Sequence, residues 1–283
     1  MKIGDYKLYS VQTGLFKLDG GAMFGVVPKP LWERTNPSDE RNRIQMCMRA
    51  LLLVSDRKKI MVDDGVGHKL SAKLNDIYGV DHSEFTLEKS LAALGLSTGD
   101  ITEVILTHLH FDHAGGSTYK DREGNIKPTF PNAVYYLQRK HWEWANNPSE
   151  RDKASFFPEN FVPLQEAGVL KLIDGDYVFD DYIQLHVVNG HTPAMQVLTV
   201  RDEKRTVLYT ADLFPTASHI PLPYIMGYDL FPLTTLEEKK KFLSQIVKEN
   251  WLLFFEHDAF TETARVALTD RGYQVIEKQE LSD

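Results

Sequence analysis

Apolar positions along the chain follow two spacings. Short β-rich apolar runs at 48–54 and 59–62, separated by the turn-like Ser55-Asp56-Arg57-Lys58, predict two strands. Positions 67–78 and 86–94 carry helical spacing, and Gly95 stands where a helix takes its left-handed closing residue. A short apolar run at 103–106 predicts a buried strand leading straight into His108. A second series follows: strand 133–137, helix 138–146 stopped by Pro148, strands 183–188, 195–200 and 206–209, helix 234–249, and strand 251–255 running into His257. Strands and helices in two successive halves predict sheets with helices outside. No linker separates the halves, so residues 1–283 are read as one domain. Segments 19–30 and 215–232 are apolar and rich in Gly and Pro, and long loops of this kind tend to be functional. The charged run 236–241 (LEEKKK) sits within helical spacing and is read as a solvated face.

Charge and cysteine content narrow the classes. With 32 Lys+Arg against 40 Asp+Glu, the net charge of −8 argues against a nucleic-acid partner and against an anionic membrane. The single cysteine, Cys47, excludes an internal disulfide and a Cys-rich zinc module, and Met46-Cys47-Met48 reads as a buried apolar setting. The first ten residues hold no apolar core of signal-peptide length, and no run reaches the ~18 apolar residues of a membrane span. A soluble, cytoplasmic protein is the expectation.

The chemistry concentrates in Thr107-His108-Leu109-His110-Phe111-Asp112-His113. Four ligand-type side chains, His108, His110, Asp112 and His113, fall within six residues just past a buried strand. Packed imidazoles beside a carboxylate are costly unless something satisfies them. A divalent metal does so, since imidazole nitrogen and carboxylate oxygen suit zinc, iron, manganese or cobalt. In extended backbone, residues two apart point the same way, so His108 and His110 can grip one ion. Asp112 and His113 lie past the strand end, where Ala114-Gly115-Gly116 turns the chain, and are free to face a second. His191, Asp212 and His257 each follow a predicted strand in the same manner. Any one of them alone reads as a hydrogen-bonded structural residue; four ligand-bearing strand ends do not.

This set resembles the metallo-β-lactamase superfamily. Its His-x-His-x-Asp-His signature is matched by His108, His110, Asp112 and His113, and its later His, Asp and His by His191, Asp212 and His257. Val62-Asp63-Asp64-Gly65 resembles its Asp-x-Gly turn. The resemblance implies an α/β (α+β) fold, a four-layer αββα sandwich. It implies two divalent ions, zinc first, with iron, manganese or cobalt as alternatives. By the same resemblance His108, His110 and His191 hold the first ion and Asp112, His113 and His257 the second, while Asp212 bridges them and Asp63 braces the metal loop. Two cations roughly 3.5–4 Å apart lower the pKa of a shared water toward neutrality, giving a hydroxide that attacks a carbonyl or phosphoryl centre. Asp112 is then in reach to shuttle the proton as a catalytic residue.

Departures from the family's branches narrow the reaction. Cysteine-using zinc β-lactamases are excluded because Cys47 lies away from the ligand motifs. Flavin-linked diiron relatives carry Glu where His110 stands. Glutathione-binding relatives want basic C-terminal residues, and after His257 Arg265, Arg271 and Lys278 are thin support for them. Segments 18–29 and 211–215 resemble the branch of N-acyl homoserine lactonases and methyl parathion hydrolases. Well-known lactonases there carry a tyrosine three residues past the bridging Asp, where this chain has Pro215. His219 is the candidate catalytic assistant near the leaving group. Met23, Phe24, Trp32, Phe111, Phe214, Tyr224 and Met226 are candidate lining for a hydrophobic substrate pocket. His68, His82 and His141 are read as structural or exposed, and His186, inside a strand, as a satisfied partner rather than a ligand. The resulting expectation is a lactonase acting on a small hydrophobic lactone or ester, with N-acyl homoserine lactones first. The alternatives are an organophosphate triester or aryl ester hydrolase, and a non-catalytic metal-binding sensor. An apolar patch on 19–31 is a candidate homodimer contact.

Overall fold

Val104 and Ile105 have no solvent exposure, and the strand Glu103–Ile105 that holds them lies between parallel neighbours, Lys59–Val62 and Val134–Gln138. Strands buried on both faces read as continuous apolar runs rather than as alternation, which is why so short a run is a strand. The structure, a computed structural model, describes residues 1–281. Contacts divide the chain into two compact units. One comprises Met1–Leu15 with Met48–Gly175, and the other Phe16–Cys47 with the chain from Asp176 onward.

Two seven-stranded mixed sheets carry the architecture. The first runs in the order Lys2–Ile3, Tyr6–Asp19, Arg43–Val54, Lys59–Val62, Glu103–Ile105, Val134–Gln138 and Leu170–Ile173. Its last four strands are mutually parallel. The second runs Tyr177–Val178, Ile183–Val188, Met195–Arg201, Thr206–Tyr209, Leu252–Phe254, Thr263–Thr269 and Gly272–Gln279, with one parallel pair, Thr206–Tyr209 against Leu252–Phe254. Parallel strands point their carboxyl ends the same way, and functional loops of α/β sheets gather beyond such ends. His108, Asp212 and His257 all follow strands of this kind.

The helix Leu87–Ala93 starts from Thr86, whose hydroxyl accepts from the Lys89 N–H, and Gly95 beyond it takes φ +74°. Segment 19–30, expected as a loop, instead contains the helix Gly20–Phe24, with Asp19 accepting from the Ala22 N–H. A terminal hairpin, Thr263–Thr269 with Gly272–Gln279, was not anticipated. No helix of the described residues is long and apolar enough to cross a membrane.

The helix Pro232–Glu249 corrects the reading of run 236–241 as a solvated face. Lys239 shares a helical stripe with Thr235, Phe242, Leu243 and Ile246, and all five are buried. Its ammonium donates to the carbonyls of His219, Pro221 and Tyr224 at 2.6, 3.0 and 2.7 Å. Burial pushes Lys239 down to about 7, with Asp229 opposing. Between about 7 and the ordinary value near 10.4, the unfolded chain binds a proton that the folded chain releases. Stability is therefore expected to rise with pH across that window. Urea unfolding at several pH values checks this, and Lys239→Met should flatten the slope.

Candidate metal centre

In the first unit, the loop after Glu103–Ile105 is held by Asp63, which is fully buried. One Asp63 carboxylate oxygen accepts from the Thr107 N–H at 2.7 Å. The other accepts from the Thr107 hydroxyl at 2.7 Å and from His113 Nδ1 at 3.1 Å. Asp63 itself sits at φ +55°, a left-handed conformation uncommon outside glycine, at a point where strain is over-determined by these bonds. A Cβ on Gly115 would collide with the Val66 carbonyl, and one on Gly116 with the Asp64 carbonyl. The two loops therefore lie against each other, bridged at Gly65 and Ala114, only because these positions are glycine.

His108, His110, Asp112 and His113 are all buried. His108 Nε2 and His110 Nδ1 approach to 3.0 Å, and the His108 and His113 rings lie 3.9 Å apart. His113 gives its Nδ1 proton to Asp63, which leaves Nε2 with its lone pair.

The second unit supplies a matching set. Both oxygens of Asp212 face histidine nitrogens: Oδ2 lies 3.1 Å from His191 Nε2, and Oδ1 lies 3.3 Å from His257 Nε2. His257 Nδ1 donates to the Cys47 carbonyl at 3.0 Å, and His191 Nδ1 meets Asp229 Oδ1 at 2.8 Å. A carbonyl only accepts, so neutral His257 presents the Nε2 lone pair to a carboxylate oxygen. Two lone pairs so placed repel unless a proton or a cation lies between them. Burial alone would lower His191, but Asp212 and Asp229 outweigh it and hold the ring up to about 10. The pocket is thus built to keep positive charge at that nitrogen. A tetrahedral ion with bonds of ~2.0–2.1 Å sets its donor atoms about 3.3 Å apart, close to these spacings. Imidazoles whose far nitrogen is fixed by a carboxylate or carbonyl are the common outer support of metal-holding histidines. The donor set fits divalent metal.

All seven side chains are buried: His108, His110, Asp112 and His113 in the first unit, and His191, Asp212 and His257 in the second. Glu256, also buried in the second unit, is a residue to which no role was assigned from sequence. Asp229 and Glu238 were missed as well. Glu238 accepts from the N–H groups of Asn189 and Gly190 at 2.7 and 3.0 Å, fixing the turn before His191. The signal for Glu238 was its helical phase with Thr235, whereas Asp229 lies in an irregular segment without periodicity.

Of the expected substrate residues, Met23, Phe24, Trp32, Phe111, Phe214 and Met226 are buried. Phe24 stacks on Trp32 at 5.3 Å on one side and on His219 at 4.6 Å on the other. Phe111 stacks on Tyr78 at 4.5 Å. Tyr224 alone of the seven is half-buried. His219, the expected catalytic assistant, is buried. Its Nε2 donates to the Met23 carbonyl at 2.8 Å and its Nδ1 accepts from Thr216 at 2.8 Å. Burial pushes the ring down to about 3, so it is neutral with both nitrogens engaged. His141 accepts from the Leu109 N–H at 2.8 Å, and His186 meets Thr199 at 3.0 Å, both structural contacts. Cys47 is buried. Pro215, at the position of the lactonase tyrosine, accepts the His257 N–H through its carbonyl at 3.2 Å.

The two sheets, the strand-end donors and the glycine-packed loops define a metallo-β-lactamase fold, and the chain belongs to the metallo-beta-lactamase superfamily, whose family model matches residues 49–257. An N-acyl homoserine lactonase of Bacillus thuringiensis is 31% identical over 172 residues, which cover 59% of this chain. That match spans only 60% of the lactonase's own length. An N-acyl homoserine lactonase of Bacillus cereus is 28% identical over 265 residues, covering 89% of this chain and 93% of that one. The crystal structure of a probable metal-dependent hydrolase from Staphylococcus aureus superposes with a TM-score of 0.86 at 29% identity, covering 99% of this chain and all of the other.

Proposed function

We propose that this chain is a dinuclear-metal hydrolase that opens the ring of N-acyl homoserine lactones. The observation that carries the proposal is the buried donor set of five histidines and two aspartates at the ends of strands. In this reading His108, His110 and His191 hold one ion, Asp112, His113 and His257 the other, and Asp212 serves both. Zinc is the first choice for such borderline donors, with iron, manganese or cobalt as alternatives. When bound, two such cations supply Lewis acidity toward the substrate carbonyl and acidify water. Asp112 would take the proton of the attacking water and hand it to the ring oxygen that leaves. Asp63 and Asp229 hold His113 and His191 in the tautomer that leaves Nε2 inward. The lactonases of Bacillus thuringiensis and Bacillus cereus support the choice of substrate.

A second reading, hydrolysis of organophosphate triesters or aryl esters, is favoured by Pro215, which offers no hydroxyl to a lactone carbonyl. The test is a parallel assay of metal-replete protein on N-decanoyl homoserine lactone and on an organophosphate triester. A lactone kcat/KM above ~10⁴ M⁻¹s⁻¹ with a far weaker triester value is expected. The reverse ranking would replace the lactonase reading by the second one. No turnover of either, with full metal content, would leave a metal-binding sensor.

A further inference from the structure

The first unit holds a cavity of about 650 Å³, and none of the seven donor residues lines it. Lys69, half-buried, stands on its wall. Its amine donates to the carbonyls of two buried residues, Gly115 and Thr118, at 2.5 Å each. The hydrolysis proposed above makes no use of this nitrogen.

The number of acceptors favours a free amine. An ammonium carries three N–H groups, whereas a neutral amine carries two and a lone pair. Two carbonyls match the neutral form and leave the lone pair directed away from them. N–H groups that donate to carbonyls also push electron density onto their nitrogen. Burial acts in the same sense and pushes Lys69 down to about 8, against the pull of Asp64 and Glu159. Of the other titratable groups on the wall, Glu88, Lys120 and His68 are exposed, and the His68 and His82 rings lie 4.4 Å apart. An ordinary lysine is almost wholly protonated at neutral pH and is a weak nucleophile there, so Lys69 differs from the surface lysines in kind. Leu87 and Ile126 supply apolar wall for a short acyl chain.

We propose that Lys69 is a covalent acylation site that takes short acyl groups from small thioesters. The Nζ lone pair attacks the thioester carbonyl carbon. The C–N bond forms, the C–S bond breaks with its electron pair going to sulfur, and the surplus proton of the amine passes to the thiolate. The products are an amide on Lys69 and a free thiol, so no further reactant is needed. The amide keeps one N–H, which leaves one of the Gly115 and Thr118 carbonyls without its donor. The site is separate from the donor set, and its reactivity does not depend on which ester or lactone the chain cleaves.

The test incubates the metal-loaded full chain with excess N,S-diacetylcysteamine and follows the acetylation of each lysine by peptide mass spectrometry. At about pH 7.5 Lys69 holds roughly 100-fold more free amine than a surface lysine, and its lower basicity gives back part of that gain, so acetylation about 10-fold faster than the median lysine is expected. Its rate is expected to level off above about pH 8, while the rates of surface lysines keep rising. In the urea-unfolded chain Lys69 is expected to react like the other lysines. Acetylation of Lys69 no faster than the median in the folded chain would overturn the proposal. So would a rate that climbs in parallel with the surface lysines. The same preference in the unfolded chain would trace it to the neighbouring sequence rather than to the cavity and its two carbonyls, and would overturn it too.

Discussion

Asp212→Ala is expected to strip the protein of most of its metal and to lower kcat/KM by at least ~10³, about 4 kcal/mol of transition-state stabilisation. Asp212 faces both His191 and His257, one oxygen to each. Its removal takes the anion from both nitrogens at once. The two imidazoles then face no carboxylate oxygen at Nε2, so metal affinity is expected to fall at both positions. The backbone is expected to survive, because Ala211 and Asp212 sit in a short 3₁₀ turn whose exit is held independently by Thr210, bonded to the Phe214 and Phe254 carbonyls at 2.8 and 3.0 Å. Metal analysis, circular dichroism and initial rates on one preparation read all three quantities. Full metal content with wild-type rates would remove Asp212 from the centre.

The legibility of this centre has a physical basis. Its donors stand at the ends of short strands with buried apolar residues, and the strands 183–188 and 206–209 were placed to the residue. A polar side chain immediately after such a run has few ways to be satisfied. Periodicity failed where phase or packing decides. The strand Tyr6–Asp19 buries Tyr6 and Leu8 and then Val11, a step of three that breaks the two-residue alternation. Lys239 looked like one of three equivalent lysines, yet its neighbours Lys240 and Lys241 are exposed and it is not. Three carbonyls of an irregular segment make that difference, and their convergence is a tertiary fact. The aromatic residues of 19–32 were legible as apolar, but whether they face a ligand or one another depends on what packs on them, here His219 on Phe24.

Asp63→Ala is expected to cost more stability than any other single truncation around the centre, about 3–5 kcal/mol, the range for breaking a buried, hydrogen-bonded charged group. The carboxylate satisfies three buried donors, the Thr107 N–H, the Thr107 hydroxyl and His113 Nδ1. Alanine leaves all three without it, and each buried donor left open carries a penalty of ~1–3 kcal/mol. The positive φ at this position adds strain that the lost bonds no longer hold in place. Asp63→Asn separates charge from shape. Its amide carbonyl can serve the Thr107 N–H, but its NH₂ turns a donor toward His113 and the Thr107 hydroxyl. His113 is then free to take the other tautomer, with its proton on the nitrogen that should face the metal. Metal affinity is expected to fall 10- to 100-fold in Asp63→Asn, the usual effect of losing such outer support. Urea unfolding measures the first effect and competitive chelator titration the second. If Asp63→Asn retained wild-type affinity while Asp63→Ala unfolded, the residue would act on the fold alone, and the tautomer of His113 would be set elsewhere.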